Sequence, residues 1–524
     1  MAPRARYSAP RGDPRSAPNT LPRVRRPVLL LAGLVLLAGP TVLAFYSGGF
    51  FVGPRAAATA VAWALVLVLA VAGPLPLPAS PPGRVAAAGL AGLAAWSAVS
   101  LTWAPLVEAG FNNVQRLLLY LGVLLAATAA MRDERLGRAA EPALAAGVVI
   151  VIGYGLAGRL LPGILDLHRS FVAGGRLEQP LTYWNAEGLL AAMGLLLCLR
   201  LAGDTTRPAA TRVAAAVASA PLGMGVYLSY SRGALVATFV GALFLLAAAP
   251  TRPQLRAAMV CLAAGTVGAL LAAPFGGVSS LSGALGDRER DGAIVLMGLL
   301  VIAGVVAVVF ARMLREEERD VGRRARLAYA DRLPAVAAAA TALCVLGLVI
   351  GALGETAGHA GSSAGASASR LTSVSSLRYE YWRVGGRAFL DHPLKGVGSG
   401  GFRVLWRQER DVGASALEVH SLPLEMATEL GLPGLLLMGL FLGGVAVAGR
   451  RALRAGAPIA PGACAVCGAW LLHASIDWDW QMPAVTLPAL VLAGALLAAS
   501  ELGSAQSEPA ADEHADHPQA VTRG

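Results

Sequence analysis

The strongest constraint on this chain is its series of long, almost charge-free apolar segments. About 20 apolar residues cross the hydrocarbon core of a bilayer as a helix, and fourteen such segments can be read along the 524 residues. They lie near 27–45, 56–75, 85–103, 114–131, 142–161, 186–202 and 213–230. The second half adds 233–249, 257–273, 292–311, 334–353, 425–448, 461–476 and 484–502. Only Ser229 to Gly233 interrupts the stretch 213–249, so counts of 12–14 spans fit the sequence. Composition agrees with a membrane chain. Hydrophobic residues make up 56% and charged residues 14%, whereas a soluble domain carries about 25% charged residues. A soluble multidomain enzyme is excluded, and so is a disordered chain, which needs low hydrophobicity. The expected fold class is an all-α polytopic membrane protein.

The formal net charge is +11, and Lys395 is the only lysine among 43 basic residues. These residues sit between apolar runs rather than in one patch, which argues against nucleic acid and for membrane orientation. The first span follows seven arginines, is long and shows no clear cleavage site, so it reads as a signal anchor. With the N-terminus in the cytoplasm and fourteen alternating spans, 27 of the 43 basic residues fall on the cytoplasmic side. Eight more lie in one long outer segment, where the positive-inside rule has little force. Both termini are then cytoplasmic.

The organisation expected is a disordered tail over 1–26, spans one to eleven over 27–353, an extracytoplasmic segment over 354–424, spans twelve to fourteen over 425–502 and a disordered tail over 503–524. The outer segment opens on a flexible Gly/Ser/Ala stretch (Gly354 to Ser369). It then turns into ordered-looking, partly helical sequence rich in Arg, Trp, Tyr and His. Loops of this length are functional or linkers. The five cysteines all fall in apolar segments and imply no disulfide framework, and Cys464-x-x-Cys467 is expected to pack.

With this topology the unusual polar residues gather on the outer face. Arg169, Arg176 and Asn185 precede span six, and Ser229, Ser231 and Arg232 separate spans seven and eight. The long segment carries Arg378, Arg383, Arg387, His392, Lys395 and His420, and Asp477 and Asp479 follow span thirteen. Charge near hydrocarbon is costly and suggests a site, although any one arginine also suits a snorkelling anchor. Arg232, at the junction of two apolar runs, disobeys the positive-inside rule. A guanidinium there calls for an anion, and its fork suits phosphate oxygens. Gly396 to Gly401, including Gly398, could turn consecutive N–H groups toward an anion or form a plain turn. His420 could take a proton from an attacking hydroxyl or be merely solvated. Asp477 and Asp479 allow a weak metal alternative, but no further ligands accompany them. No metal is expected.

These pieces resemble, in order, the O-antigen ligase and polymerase family of bacterial membrane glycosyltransferases. The resemblance rests on Arg176-Leu177 with Trp184-Asn185-Ala186, on Ser229-Tyr230-Ser231-Arg232-Gly233-Ala234, and on Arg378-x-x-x-Trp382. It continues in His392-Pro393-Leu394-Lys395-Gly396-Val397-Gly398 and in His420-Ser421 followed by Glu429-Leu430-Gly431. It covers roughly residues 85–500. Trp-Asn stands at 184–185 where the family often has Pro-Asn, and His-Ser at 420–421 where it often has His-Asn.

The resemblance implies a GT-C-like helical fold in the bacterial inner (plasma) membrane, with an active site facing outside. It implies transfer of a glycan from a polyprenyl-diphosphate carrier to an acceptor hydroxyl, without metal or nucleotide sugar, by a single inverting displacement. The acceptor would be a glycan, a lipid or a protein, with membrane lipid around the chain and no cofactor. Arg232 and Arg378 would hold the diphosphate and His420 would activate the acceptor. Arg176, Asn185, Ser231, Arg383, Arg387, Lys395 and Gly398 remain candidates for contact with donor or glycan. The competing reading is a transporter of a lipid-linked or small anionic solute. Transporters place polar groups near the midplane and show repeated halves, and no repeat is visible here.

Overall fold

The structure, a computed structural model, describes residues 25–319, 327, 329–354, 366 and 377–505. Most of both expected tails, and most of the Gly/Ser/Ala stretch after Gly354, lie outside the described residues.

The chain is helical throughout, with no β-strand among the described residues. In order the helices are α1 (Arg25–Ala44), α2 (Val52–Ala72), α3 (Pro81–Ser100), α4 (Val107–Ala130), α5 (Glu134–Leu160), α6 (Trp184–Gly203), α7 (Ala209–Leu228), α8 (Arg232–Ala248) and α9 (Arg252–Ala272). They continue with the one-turn α10 (Gly276–Ser279), α11 (Leu285–Arg319), α12 (Leu333–Gly354), α13 (Arg378–Asp391), α14 (Phe402–Glu409), α15 (Leu422–Arg454), α16 (Ala460–Ala474) and α17 (Pro483–Ala505). Each of the fourteen apolar segments falls on one of these helices. Among the described residues ten helices are long and apolar enough to cross a membrane, and α8 and α16 are shorter apolar helices.

Local chemistry sets the helix starts. Ser80 caps α3 by accepting the Gly83 N–H, with Pro81 and Pro82 in the first turn. Asp133 caps α5 by accepting the N–H groups of Arg135 and Leu136, and Thr251 caps α9 by accepting that of Gln254. Each cap satisfies donors that the helix cannot pair internally.

Packing divides the helices into a centre and a lipid-facing rim. The apolar window of α6 is wholly buried and that of α17 almost so. By contrast α2 and α11 expose large apolar side chains such as Leu67, Val71, Met297 and Val301. Exposed apolar faces of that extent suit hydrocarbon, not water. Between apolar helices in lipid, close backbone approach replaces the hydrophobic drive. The α7–α9 crossing shows this: a Cβ on Gly223 would lie 2.3 Å from the Gly265 Cα. Cys467 packs between helices, its thiol donating to the Ala489 carbonyl at 3.3 Å.

Buried charge collects at the two ends of the bundle, with α17 running between them. One end ties Arg132 to Glu501 and gathers Glu141, Arg200, Asp204 and Arg207 into one ion network. At the other end the connections after α1, α5, α7 and α16 meet the segment entering α15.

Candidate functional site

The meeting point is Asp477-Trp478-Asp479, in the short connection between α16 and α17. The Asp477 carboxylate pairs with the guanidinium of Arg378, the first residue of α13. It also accepts the Tyr183 hydroxyl at 2.7 Å and the Trp478 N–H at 2.9 Å. The Asn185 amide donates to the Tyr183 oxygen at 2.7 Å, which brings the start of α6 into the same network. Asp479 turns the other way. Its Oδ2 lies 2.5 Å from His473 Nδ1 near the end of α16, and Nε2 of the same ring lies 3.4 Å from Ser231 Oγ ahead of α8. Between the two carboxylates, the Trp478 ring packs against Phe50, Tyr183 and His420 at centroid distances of 5.4, 4.4 and 6.3 Å.

Both carboxylates are buried, so each needs a cation or several donors to remain charged. Burial alone would raise the Asp477 carboxyl, but Arg378, with His420 and His473, holds it below the usual range. Burial leaves the Asp479 carboxyl above the usual range, against the opposing pull of His473. The two acids are therefore anchors with separate partners. Among the described residues no group of three or more His, Cys, Asp or Glu could hold a metal ion.

His420 stands just ahead of α15 in the left-handed region, at φ 59°. Its Nδ1 lies 2.9 Å from the Glu418 carbonyl. A carbonyl can only accept, so Nδ1 carries the hydrogen and Nε2 is the acceptor nitrogen of the neutral ring. The Trp382 indole donates to the His420 carbonyl at 3.3 Å, and the Tyr381 ring packs 4.9 Å away. Burial, helped by Arg378 and opposed by Asp477, holds the His420 pKa below its ordinary value. The imidazole is thus a neutral group at pH 7, able to accept a proton.

The Ser229 to Ala234 block forms the corner between α7 and α8. Ser231 caps α8, its Oγ accepting the Ala234 N–H at 3.2 Å, and Ser229 Oγ accepts the Ser231 N–H at 3.2 Å. Arg232, half-buried, is the first residue of α8. The cap therefore fixes where its side chain starts. Gly233 lies against the imidazole of His473: an added Cβ would come within 2.8 Å of Nε2 and Cδ2.

The N–H groups of the glycine run between α13 and α14 are taken up within the chain rather than offered to an external anion. Gly398 donates to the Glu429 carbonyl at 2.9 Å and Val397 to the Thr428 carbonyl at 2.9 Å. Gly400 and Phe402 donate to the Glu429 carboxylate at 2.7 and 3.3 Å, and Ser399 donates to Ser100 Oγ at 3.0 Å. The anion served is the chain's own Glu429. Gly431, at φ 66° and ψ −160°, kinks α15 just beyond it, in a region open essentially to glycine alone. Leu432 then donates to the Pro393 carbonyl at 2.8 Å. The His-Pro-Leu-x-Gly-x-Gly and Glu-x-Gly blocks are two sides of one backbone clasp that seats the segment after α13 on α15.

The remaining candidates lie around this centre. Arg176 is buried, donates to the Ala173 and Val172 carbonyls at 2.6 and 2.8 Å, and stacks over Trp184 at 3.6 Å. Arg383 is held by Glu380 and Asp411 at 2.8 and 2.6 Å, which ties α13 to the segment after α14. Arg387 is exposed on α13, and Lys395 is exposed over Trp103. The structure thus joins Arg378, Asn185, Ser231 and His420 through one segment, while Arg383 and Gly398 hold together the segment between α12 and α15. Sequence reasoning missed His473, Tyr183 and the inward role of Glu429. His473 was findable, because an ionisable residue inside an apolar span is a site signal in itself.

Residues 214–439 match the family described as O-Antigen ligase. The match runs from α7 into α15 and includes Arg232, Arg378, His420 and Glu429. Tyr183, Asn185, His473, Asp477 and Asp479 lie outside it. No curated protein matches the chain. Together with its apolar helices, the match supports a multi-pass bacterial membrane protein with a glycosyltransferase-like role in polysaccharide assembly, working among lipid and lipid-linked glycan. The segment that carries Arg232, Arg378 and His420 is thus the part of the chain that is similar to the O-antigen ligase family.

Proposed function

We propose that the protein transfers a glycan from a polyprenyl-diphosphate carrier to an acceptor hydroxyl at the extracytoplasmic face of the bacterial cell membrane. In this reading it crosses the membrane fourteen times in a GT-C-like arrangement, with both termini in the cytoplasm. The observation that carries it is the meeting of Arg378 and His420 at Asp477. An arginine suited to phosphate oxygens and a neutral imidazole with a free acceptor nitrogen stand in one electrostatic neighbourhood.

The chemistry follows from those two groups. The acceptor oxygen attacks the anomeric carbon while its proton passes to His420 Nε2. The bond from that carbon to the diphosphate oxygen breaks, and the electron pair leaves with the diphosphate. Arg378 and Arg232 meet the growing negative charge. Preorganised cations of this kind supply the largest part of such catalysis. One displacement inverts the anomeric configuration. A diphosphate is already a good leaving group, so neither a metal nor a cofactor enters the proposal.

The test is glycan transfer by the purified protein in proteoliposomes supplied with a polyprenyl-diphosphate-linked glycan. Arg378→Ala and His420→Ala should each abolish transfer with membrane insertion intact, and the wild type should keep its activity in excess EDTA. Normal transfer by either variant would refute the assigned role. Activity lost to EDTA and restored by a divalent ion would refute metal independence. In a deletion strain, accumulated single lipid-linked repeats would mark a polymerase and accumulated long lipid-linked chains a ligase.

A further inference from the structure

Ser231, His473 and Asp479 come from three different parts of the chain and form one buried hydrogen-bonded line. Their exposures are 3%, 1% and 0%. The Asp479 carboxylate lies 2.5 Å from His473 Nδ1, His473 Nε2 lies 3.4 Å from Ser231 Oγ, and that oxygen accepts the Ala234 N–H that begins α8. An ionised carboxylate only accepts, so Nδ1 carries a hydrogen. The other ring nitrogen, Nε2, then meets the Ser231 hydroxyl, accepting its hydrogen in the neutral ring and donating to its oxygen in the charged one. A serine, histidine and aspartate in this order also suit nucleophilic catalysis. Here the serine oxygen is buried and occupied as a helix cap, so the line serves position instead.

We propose that His473, oriented by Asp479, is a positioning residue that sets the Ser231-Arg232 corner and through it the Arg232 guanidinium. Two further observations support this. Gly233 leaves room for the imidazole to lie directly against the corner, since any Cβ there would sit 2.8 Å from Nε2. Asp479 also shares its short connection with Asp477, which holds Arg378. Both arginine-bearing elements, α8 and α13, are therefore referenced to the same three residues. The inference rests on the role proposed above for Arg232.

The two ring nitrogens can be tested separately. A glutamine amide reaches the place of Nε2 and can still accept from Ser231. An asparagine amide reaches only the place of Nδ1 and keeps only the link to Asp479. Initial rates in proteoliposomes, as a function of polyprenyl-diphosphate-linked donor, give kcat/KM for each variant. His473→Ala and His473→Asn should lower it by about tenfold, the size of one lost buried hydrogen bond, while His473→Gln stays within about threefold of wild type. Arg232→Ala alone and Arg232→Ala with His473→Ala should be equally impaired, because nothing is left to position. Equal behaviour of the Gln and Asn variants, or additive losses in the double variant, would mark a merely structural histidine and overturn the proposal. Wild-type rates in all three His473 variants, with Arg232→Ala inactive, would overturn it alone. A fully active Arg232→Ala protein would overturn the reading of Arg232 and this proposal with it.

Discussion

Replacing Asp477 with asparagine isolates the charge at the centre of the site. The shape is kept, and the amide oxygen can still accept the Tyr183 hydroxyl, which now lies 2.7 Å from the carboxylate. What is lost is the ion pair, and an amide N–H₂ would face the Arg378 guanidinium as donor against donor. Breaking a buried ion pair from one side costs about 3–5 kcal/mol. The Arg378 side chain is 23% exposed, so water takes up part of that cost, and ~1.5–3 kcal/mol is the reasonable range. If the loss falls on how Arg378 is held, transfer drops by about ten- to a hundredfold, since each 1.4 kcal/mol is a factor of ten. A second effect runs through His420. Asp477 favours the charged imidazole and raises its pKa against burial. Without that charge the ring loses its proton at lower pH, so more of it is in the base form on the acid side. Transfer in proteoliposomes from pH 5 to 8 should therefore show a lower plateau and an acid limb moved to lower pH. General loss of folded protein would scale the whole profile without moving the limb. An unchanged plateau, or a limb moved to higher pH, would refute the reasoning.

Two further substitutions address other parts of the molecule. Gly431→Ala places a Cβ at φ 66°, ψ −160° and 2.7 Å from the Leu394 carbonyl carbon. Strain of ~1–3 kcal/mol, together with that clash, should open the clasp, read as faster proteolysis of the segment between α12 and α15. Equal cleavage rates would count against the clasp. Glu141→Gln removes a buried carboxylate that lies 3.8 and 3.2 Å from Arg200 and Arg207 at the opposite end of the bundle. Asp204 remains to both arginines, so a cost of ~2–3 kcal/mol is expected. The yield of detergent-stable protein should fall, with the rate per folded molecule unchanged. A lower rate per folded molecule would show the two ends to be coupled.

How much of this was legible in the sequence follows from the range of each signal. The helices are local events: a run of apolar residues between arginines specifies a span whatever lies elsewhere, and every apolar segment became a helix. Arg378, His420 and Asn185 stood out because polar groups at the edge of hydrocarbon are costly. Their partners did not. Arg378 meets Asp477 across 99 positions, and Ser231 meets His473 across 242, with no spacing to announce either pair. The glycine run misled for a related reason. Bare N–H groups do imply an anion, but Glu429 lies 29 positions from Gly400, and only the kink at Gly431 turns it back toward the run. Asp477 and Asp479 suggested one ion between them. Instead Asp477 takes Arg378 as its partner and Asp479 takes His473.

The arginines at this end divide by what they meet, and the division bears on how an anion would be drawn there. Arg159 donates to the carbonyls of Val278 and Gly175 at 2.7 Å each. Arg55 donates to the Phe50 carbonyl and to the side chains of Gln115 and Asn112. Such neutral acceptors satisfy the guanidinium's hydrogens and leave its charge in place. Arg378, Arg383 and Arg403 meet carboxylates instead, so their fields are largely cancelled at a distance. The long-range attraction for an anion therefore comes from the carbonyl-bound set, which is fixed in the helix ends. In the proposed reaction a diphosphate at Arg378 would compete with Asp477 for the same guanidinium, while Asp477 keeps its other donors, Tyr183 and the Trp478 N–H. Those donors let the carboxylate remain charged and in place when the arginine is shared. In that reading residues 477–479 are a preformed counter-charge that holds Arg378 in position until a stronger anion takes it.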